Sequence, residues 1–206
     1  MNQHIPGPTA KLEERADRKA AKRAAKKTEI AISTLDALKQ LGYANTTLRD
    51  IAAQSGMSLG SLTYYFTDKA ELITYCVRIY KREFIDQVRG SVMKAQGRDA
   101  VIAALANALA RSMTEDLPTH RLWYDIRNQS MFDPGFRPVV AEVEKALMDT
   151  VADAMRAAGL TDITAAPAGY AMIDGLFRYL MSSRQPDQPQ EQISEIFVLA
   201  LQGIFQ

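Results

Sequence analysis

The chain has 206 residues, 47% of them hydrophobic, and a net charge of +1 at pH 7; that length suits one large domain or a small domain joined to a larger one. One cysteine, Cys76, excludes a disulfide framework within the chain, and two distant histidines, His4 and His120, lack companions at metal-ligand spacing, so no metal is expected. The charge is uneven: residues 1–69 hold 11 Lys+Arg against 7 Asp+Glu, a net of +4, and the rest is net −3, which points to a polyanion partner for the first part or to a merely solvated basic helix.

Residues 1–10 carry two prolines and a glycine and are expected to be disordered. They contain no apolar signal segment, and no apolar run approaches the ~18 residues of a membrane span. A cytoplasmic protein without a membrane partner is expected. From Lys11 to Leu41 there is no Gly or Pro. The basic, alanine-rich stretch "KLEERADRKAAKRAAKK" predicts a helix that becomes amphipathic, with Ile30, Leu35, Leu38 and Leu41 on its apolar side and Gly42 as its stop. Thr47, with Asp50 three residues on, predicts the start of a second helix, which Ser55-Gly56 ends. Ser58 caps a third short helix, closed by Phe66-Thr67-Asp68.

On a helical wheel over residues 59–65, Leu62, Tyr65 and Phe66 cluster inward. Gly60 and Tyr64 lie opposite, with Leu59 and Thr63 on one edge and Ser61 on the other. Ala52 and Gly56, four residues apart, allow a close helix crossing and a left-handed turn. This is the arrangement of a helix-turn-helix, whose second helix enters the major groove. The outward face is uncharged and small, suited to base edges and phosphates. Lys69 opens the next helix, where an external phosphate would relieve its conflict with the helix dipole. The helix start at Thr47 offers a second phosphate site.

Longer helices follow at about 69–95, 99–115, 119–131, 138–158, 164–183 and 190–204, separated by Gly97, "EDLP", "FDPGF", Gly159 and "SSRQPDQPQ". No strand-like alternation is seen. The fold class is all-α, about nine helices, with a three-helix head and a larger helical bundle.

The stretch "GYANTTLRDIAAQSGMSLGSLTYYFTDKAEL", residues 42–72, resembles the DNA-binding signature of the TetR family of transcriptional regulators. The matching points are Gly42, Thr47, Ile51-Ala52, Gly56, Ser58, Gly60, Leu62, Tyr65-Phe66, Lys69 and Leu72. The resemblance implies a helix-turn-helix head, a ligand-binding body, a homodimer, and release of DNA on ligand binding. Leu59 and Thr63 depart from the family's usual residues on the outward face, so an operator sequence does not transfer. The expected plan is a flexible basic extension over 1–20, a helix-turn-helix domain over 21–68, and a ligand-binding and dimerisation domain over 69–206. The basic stretch Arg15–Lys27 is expected to add phosphate or minor-groove contacts.

The DNA-contacting residues expected are Thr47, Ser58, Leu59, Gly60, Ser61, Thr63, Tyr64 and Lys69. In the body, Trp123, Arg127 and Met131 share one helical stripe. Arg127 either binds a ligand carboxylate or pairs with an internal acid such as Asp174, and the pairing is favoured because an isolated buried charge is costly. Trp123, Tyr124, Arg127, Asp174 and Phe177 are the candidate effector residues. "AMIDGLFRYLMSS" resembles the carboxy-terminal helix of choline/betaine-type repressors of the same family. The last two helices are apolar on more than one side, with small residues between, and predict a homodimer interface. No Gly-rich phosphate loop or nucleophile–base pair is present. The expected function is therefore a ligand-responsive repressor of a double-stranded DNA operator, with an unspecified small-molecule effector, no cofactor and no enzymatic activity. The alternative is a helical protein-interaction module that has lost specific DNA binding.

Overall fold

A computed structural model describes residues 8–185 and 187–206. Among them are nine α-helices and no strand. They are α1 (Pro8–Asn45), α2 (Leu48–Gln54), α3 (Leu59–Tyr65), α4 (Lys69–Val92), α5 (Arg98–Glu115), α6 (Leu117–Gln129), α7 (Arg137–Ala157), α8 (Ala166–Ser183) and α9 (Gln190–Ile204), with a 3-10 turn at Pro134–Phe136. The chain divides into two compact units, one ending at Cys76 and the other beginning at Val77.

The expected 1–20 extension lies partly outside the described residues; from Pro8 onward the backbone is helical. Gly42, at φ +74°, breaks α1 where the sequence places its stop. In the first unit Ile30, Ala31, Leu38, Ile51, Leu62, Phe66, Leu72 and Cys76 are all at most 1% exposed. Leu35 is half-buried, and the side chain of Leu41 lies outside the described residues. Thr34 completes the stripe by returning its hydroxyl to the Ile30 carbonyl, 2.7 Å away. The Cys76 thiol donates to the Ala31 carbonyl, and burial pushes its pKa up. It is therefore a packing residue.

In the second unit α9 packs along α5, and α7 against α8. Arg98 ties the end of α9 by donating to the carbonyls of Phe205 and Gln202, at 2.7 and 2.9 Å. At Gly169 α8 lies close against α9. A Cβ added there would sit 2.9 Å from Ile204 Cγ2. Pro118 falls in the first turn of α6, so that helix begins at Leu117 rather than after the proline; a residue without an N–H is accommodated there. No helix among the described residues is long and apolar enough to cross a membrane.

Candidate functional site

α2 is set by a capping box. The Asp50 N–H donates to Thr47 Oγ1 at 3.2 Å, and Asp50 Oδ2 accepts from the Thr47 N–H at 2.8 Å and its hydroxyl at 2.6 Å. The helix ends in a Schellman pair, the Met57 N–H on the Ala52 carbonyl and the Gly56 N–H on that of Ala53. Gly56 stands at φ +62°, a conformation that L side chains rarely adopt. The chain then turns into α3, where Ser58 Oγ accepts from the Ser61 N–H at 3.1 Å.

Leu62 and Phe66 are fully buried, and Tyr65 is half-buried. They fix α3 so that its other side faces out. Ser58, Gly60, Ser61 and Thr63 are exposed, with Leu59 37% and Tyr64 64% exposed. A Cβ on Gly60 would meet nothing within 4 Å. Six of the eight expected DNA-contacting residues thus share one uncharged face. The basic stretch of α1 borders it. Arg23 donates to the Tyr64 carbonyl at 3.4 Å, and its guanidinium stands 5.6 Å from the Tyr64 ring centre. Lys27 pairs with Glu71 at 2.8 Å and lies 4.6 Å from the Phe66 ring centre. The Lys27 bond, joined by the Thr67 N–H and hydroxyl, holds the Glu71 carboxyl down at about 2.

Thr47 and Lys69 sit elsewhere, on either side of Asp50. Asp50 holds Thr47 by the capping bonds and attracts the Lys69 charge. Lys69 Nζ donates to the Tyr43 carbonyl at 2.6 Å and lies 4.1 Å from that ring's centre. Burial lowers its pKa. The conflict with the helix dipole is met inside the protein, by a carbonyl at the end of α1.

The second unit contains a partly open cavity of about 60 Å³. Four of the five expected effector residues line it: Trp123, Tyr124, Asp174 and Phe177. Arg127 does not. It bridges Glu144 at 2.7 Å and Asp174 at 2.5 Å, and Asp174 also accepts from the Tyr124 hydroxyl at 2.9 Å. The favoured pairing of Arg127 with Asp174 is present, and Glu144 is an additional partner. Met131, further along that stripe, is 64% exposed.

Two residues outside the expected effector set, Lys81 and His120, also line the cavity. Lys81 is 3% exposed, with its Nζ 4.9–5.1 Å from the ring centres of Trp123, Phe84 and Tyr80. Burial lowers its pKa to about 7, against the attraction of Asp174 and with the opposing charge of Arg127. His120 is 2% exposed and bonded at both nitrogens, to the Tyr80 hydroxyl at 2.7 Å and the Ser112 hydroxyl at 2.5 Å. Burial, then the Lys81 charge, push its pKa down to about 2, so the imidazole is neutral. Tyr170 Oη is buried with no hydrogen-bond partner.

The helix-turn-helix region matches the family model for bacterial regulatory proteins of the tetR family over residues 33–76. Residues 96–203 match the model for the tetracyclin repressor-like C-terminal domain. The HTH-type transcriptional regulator PksA of Bacillus subtilis is 21% identical over 168 residues, 76% of this chain and 78% of that protein. The HTH-type transcriptional regulator BetI of Paraburkholderia phytofirmans is 26% identical over 163 residues, 77% and 83% of the two chains. In fold, the chain is similar to a TetR transcription regulator from Haloarcula marismortui, with a TM-score of 0.74 at 17% identity, covering 89% of this chain and all of the other.

Proposed function

The chain belongs to the tetR family of bacterial regulatory proteins, and from that premise we propose a cytoplasmic repressor that leaves a palindromic operator when a small molecule enters its body. As a family member it is a transcriptional regulator with a DNA-binding helix-turn-helix, and not an enzyme.

The observation that carries the DNA half of the proposal is the outward face of α3. A helix whose exposed side is Ser58, Leu59, Gly60, Ser61, Thr63 and Tyr64 has no charge to desolvate and little bulk at its centre. Arg23 on α1 supplies a cation at its margin, as phosphate contacts require. Thr47 and Lys69 are assigned to the flanking phosphates. Lys69 has spare N–H donors beyond the one on Tyr43.

A homodimer through α8 and α9 is supported by what those helices leave uncovered. Met172, Tyr179 and Leu199 are 60%, 65% and 71% exposed. Exposed Ala168, Ala171, Gly175 and Gly203 leave room for a second copy to approach. A twofold dimer sets two α3 helices about 34–36 Å apart, one turn of DNA, hence the palindrome. The effector is assigned to the cavity beside Trp123, Tyr124, Asp174 and Phe177.

The test is selection of bound duplexes from a random library by the purified full chain. A palindrome with half-sites centred about ten base pairs apart is expected, with binding lost in Tyr64→Ala. Failure to enrich any sequence overturns the reading.

A further inference from the structure

The body cavity contains a cation held in an aromatic cage, and that cation is part of the chain. Three rings surround Lys81 Nζ at 4.9–5.1 Å. Such a cage is the usual receptor for a quaternary ammonium ligand. Here the lysine already occupies it, and a second cation alongside would be repelled.

The ammonium has ring faces for company but no acceptor. Among the described residues it makes no hydrogen bond and no ion pair. Its long-range partners are Asp174, which attracts it, and Arg127, which repels it. Asp174 also lines the cavity, but its carboxylate is engaged by Arg127 Nη1 and Tyr124 Oη, at 2.5 and 2.9 Å. Glu144, the other carboxylate of the cluster, is spent on Arg127 as well. His120 has no free nitrogen to offer, since Tyr80 and Ser112 hold both.

A second polar atom on the same cavity is also unpartnered. Tyr170 Oη is buried and unbonded, and burial, reinforced by Asp174, raises its pKa, so it remains an O–H donor. A buried donor with nothing to donate to, as at Tyr170, is costly, and Lys81 adds an ammonium without an acceptor on the same cavity. The remaining wall is apolar, including Ile85, Val88, Leu105 and Leu109.

We propose that the cavity is a receptor for a small monocarboxylate with a compact apolar body, its carboxylate on Lys81 and Tyr170 and its hydrocarbon against the leucine and valine wall. This rests on the effector-cavity reading above and names its ligand class. A carboxylate supplies acceptors to both unpartnered donors and a counter-charge to Lys81. The volume sets the size. About 60 Å³ is less than half of the ~150 Å³ that admits benzene in an engineered apolar cavity, so the shortest chains are favoured, and butyrate, with as many heavy atoms as benzene, enters only as lining side chains move aside.

The chain carries its own reporter. Trp123 is its single tryptophan and forms one side of the cage. Trp123 fluorescence of the full-length protein is titrated with propionate, butyrate and hexanoate, with butyramide as the neutral match and butyltrimethylammonium as the cationic one. Saturable binding of the carboxylates is expected, with the amide and the ammonium at least about ten-fold weaker, the scale of one charge-assisted hydrogen bond. Lys81→Met is expected to weaken the carboxylates by at least as much. Tyr170→Phe leaves the lysine–tryptophan contact untouched and removes only the hydroxyl, so it tests the site even if Lys81→Met perturbs folding. A loss of several-fold is expected. Equal binding of butyramide, tighter binding of the ammonium, full binding by Lys81→Met, or no saturable response to any carboxylate overturns the proposal. The same carboxylates are added to the protein–operator complex. Binding through Lys81 that leaves operator affinity unchanged upholds the site and overturns the release mechanism instead.

Discussion

Replacing Lys81 by methionine should make this protein more stable at neutral pH, although it removes a charge from the middle of a caged site. Lys81 is 3% exposed, and burial lowers its pKa from 10.5 to about 7. The unfolded chain holds that proton up to about pH 10.5 and the folded chain only to about 7. Between those values the unfolded state binds more protons, so stability rises with pH, by at most about 1.4 kcal/mol per pH unit. Below pH 7 the penalty is fully present, roughly 5 kcal/mol as an upper figure. The Cys76 thiol and the phenols of Tyr80, Tyr124 and Tyr170 have pKa values raised by burial and work the other way at alkaline pH. They are common to both proteins, so the difference between the two curves isolates the lysine. Methionine is close in length, apolar, and suited to aromatic contacts. Urea unfolding at pH 7, 8 and 9 should give Lys81→Met a gain of about 1–4 kcal/mol at pH 7. That gain should shrink as pH rises. A methionine variant less stable than the parent at pH 7, or a gain that does not fall with pH, would refute the reasoning.

Gly60→Ala should leave thermal stability unchanged or raise it by up to about 1 kcal/mol, because the new methyl group meets nothing within 4 Å. Operator binding, read by fluorescence anisotropy, should fall about ten-fold or more if α3 seats in the groove at that residue. Gly175→Arg should fold normally, since a Cβ there also meets open space, and should run as a monomer in light scattering where the parent runs as a dimer. Arg127→Met strands the carboxylates of Asp174 and Glu144, which are 16% and 29% exposed. It should lose roughly 2–4 kcal/mol by chemical denaturation at pH 7, and a parent-like unfolding midpoint would count against that pairing.

The head could be read closely from sequence because its determinants are local. A Thr47–Asp50 pair three residues apart is sufficient to start α2, and Gly56 supplies a backbone conformation that a Schellman stop needs. A seven-residue wheel then divides α3 into the buried Leu62 and Phe66 and the exposed Gly60 and Tyr64. The body was legible in its breakers but not in its pairings. Glu144 reaches Arg127 across two helices, and nothing near either residue in the chain announces the other. Lys81 is the instructive miss. Its neighbours in "RIYKREF" are charged and suggest a solvated turn of helix. Its helical neighbours tell the opposite story: Val77, Ile85, Val88 and Val92 are all buried and place Lys81 on their stripe. A lysine in register with a run of buried valines was the available signal, and composition hid it. The spacing of His120 in the sequence speaks only to metal binding. The residue is a neutral core histidine between Tyr80 and Ser112.

The two cations of the body are treated oppositely by the fold, and their chemistry accounts for it. A guanidinium presents its N–H groups in a planar fork. At Arg127 that fork is divided between two carboxylates from different helices, so it ties α6 to α7 and α8. An ammonium is a compact point charge on a flexible stem, easily shifted in pKa when buried. Lys81 has its charge softened by three rings and its donors left open. With Arg127 neutralised twice over by Glu144 and Asp174, the lysine is the charge that balances the cluster. Of these two cations it is the one whose proton burial loosens. A ligand that brings a negative charge to Lys81 therefore does two things at once. It meets the unpartnered Lys81 and Tyr170, and it draws the proton back onto the lysine, on α4. A neutral ligand of the same shape does neither, and a cation is opposed on both counts.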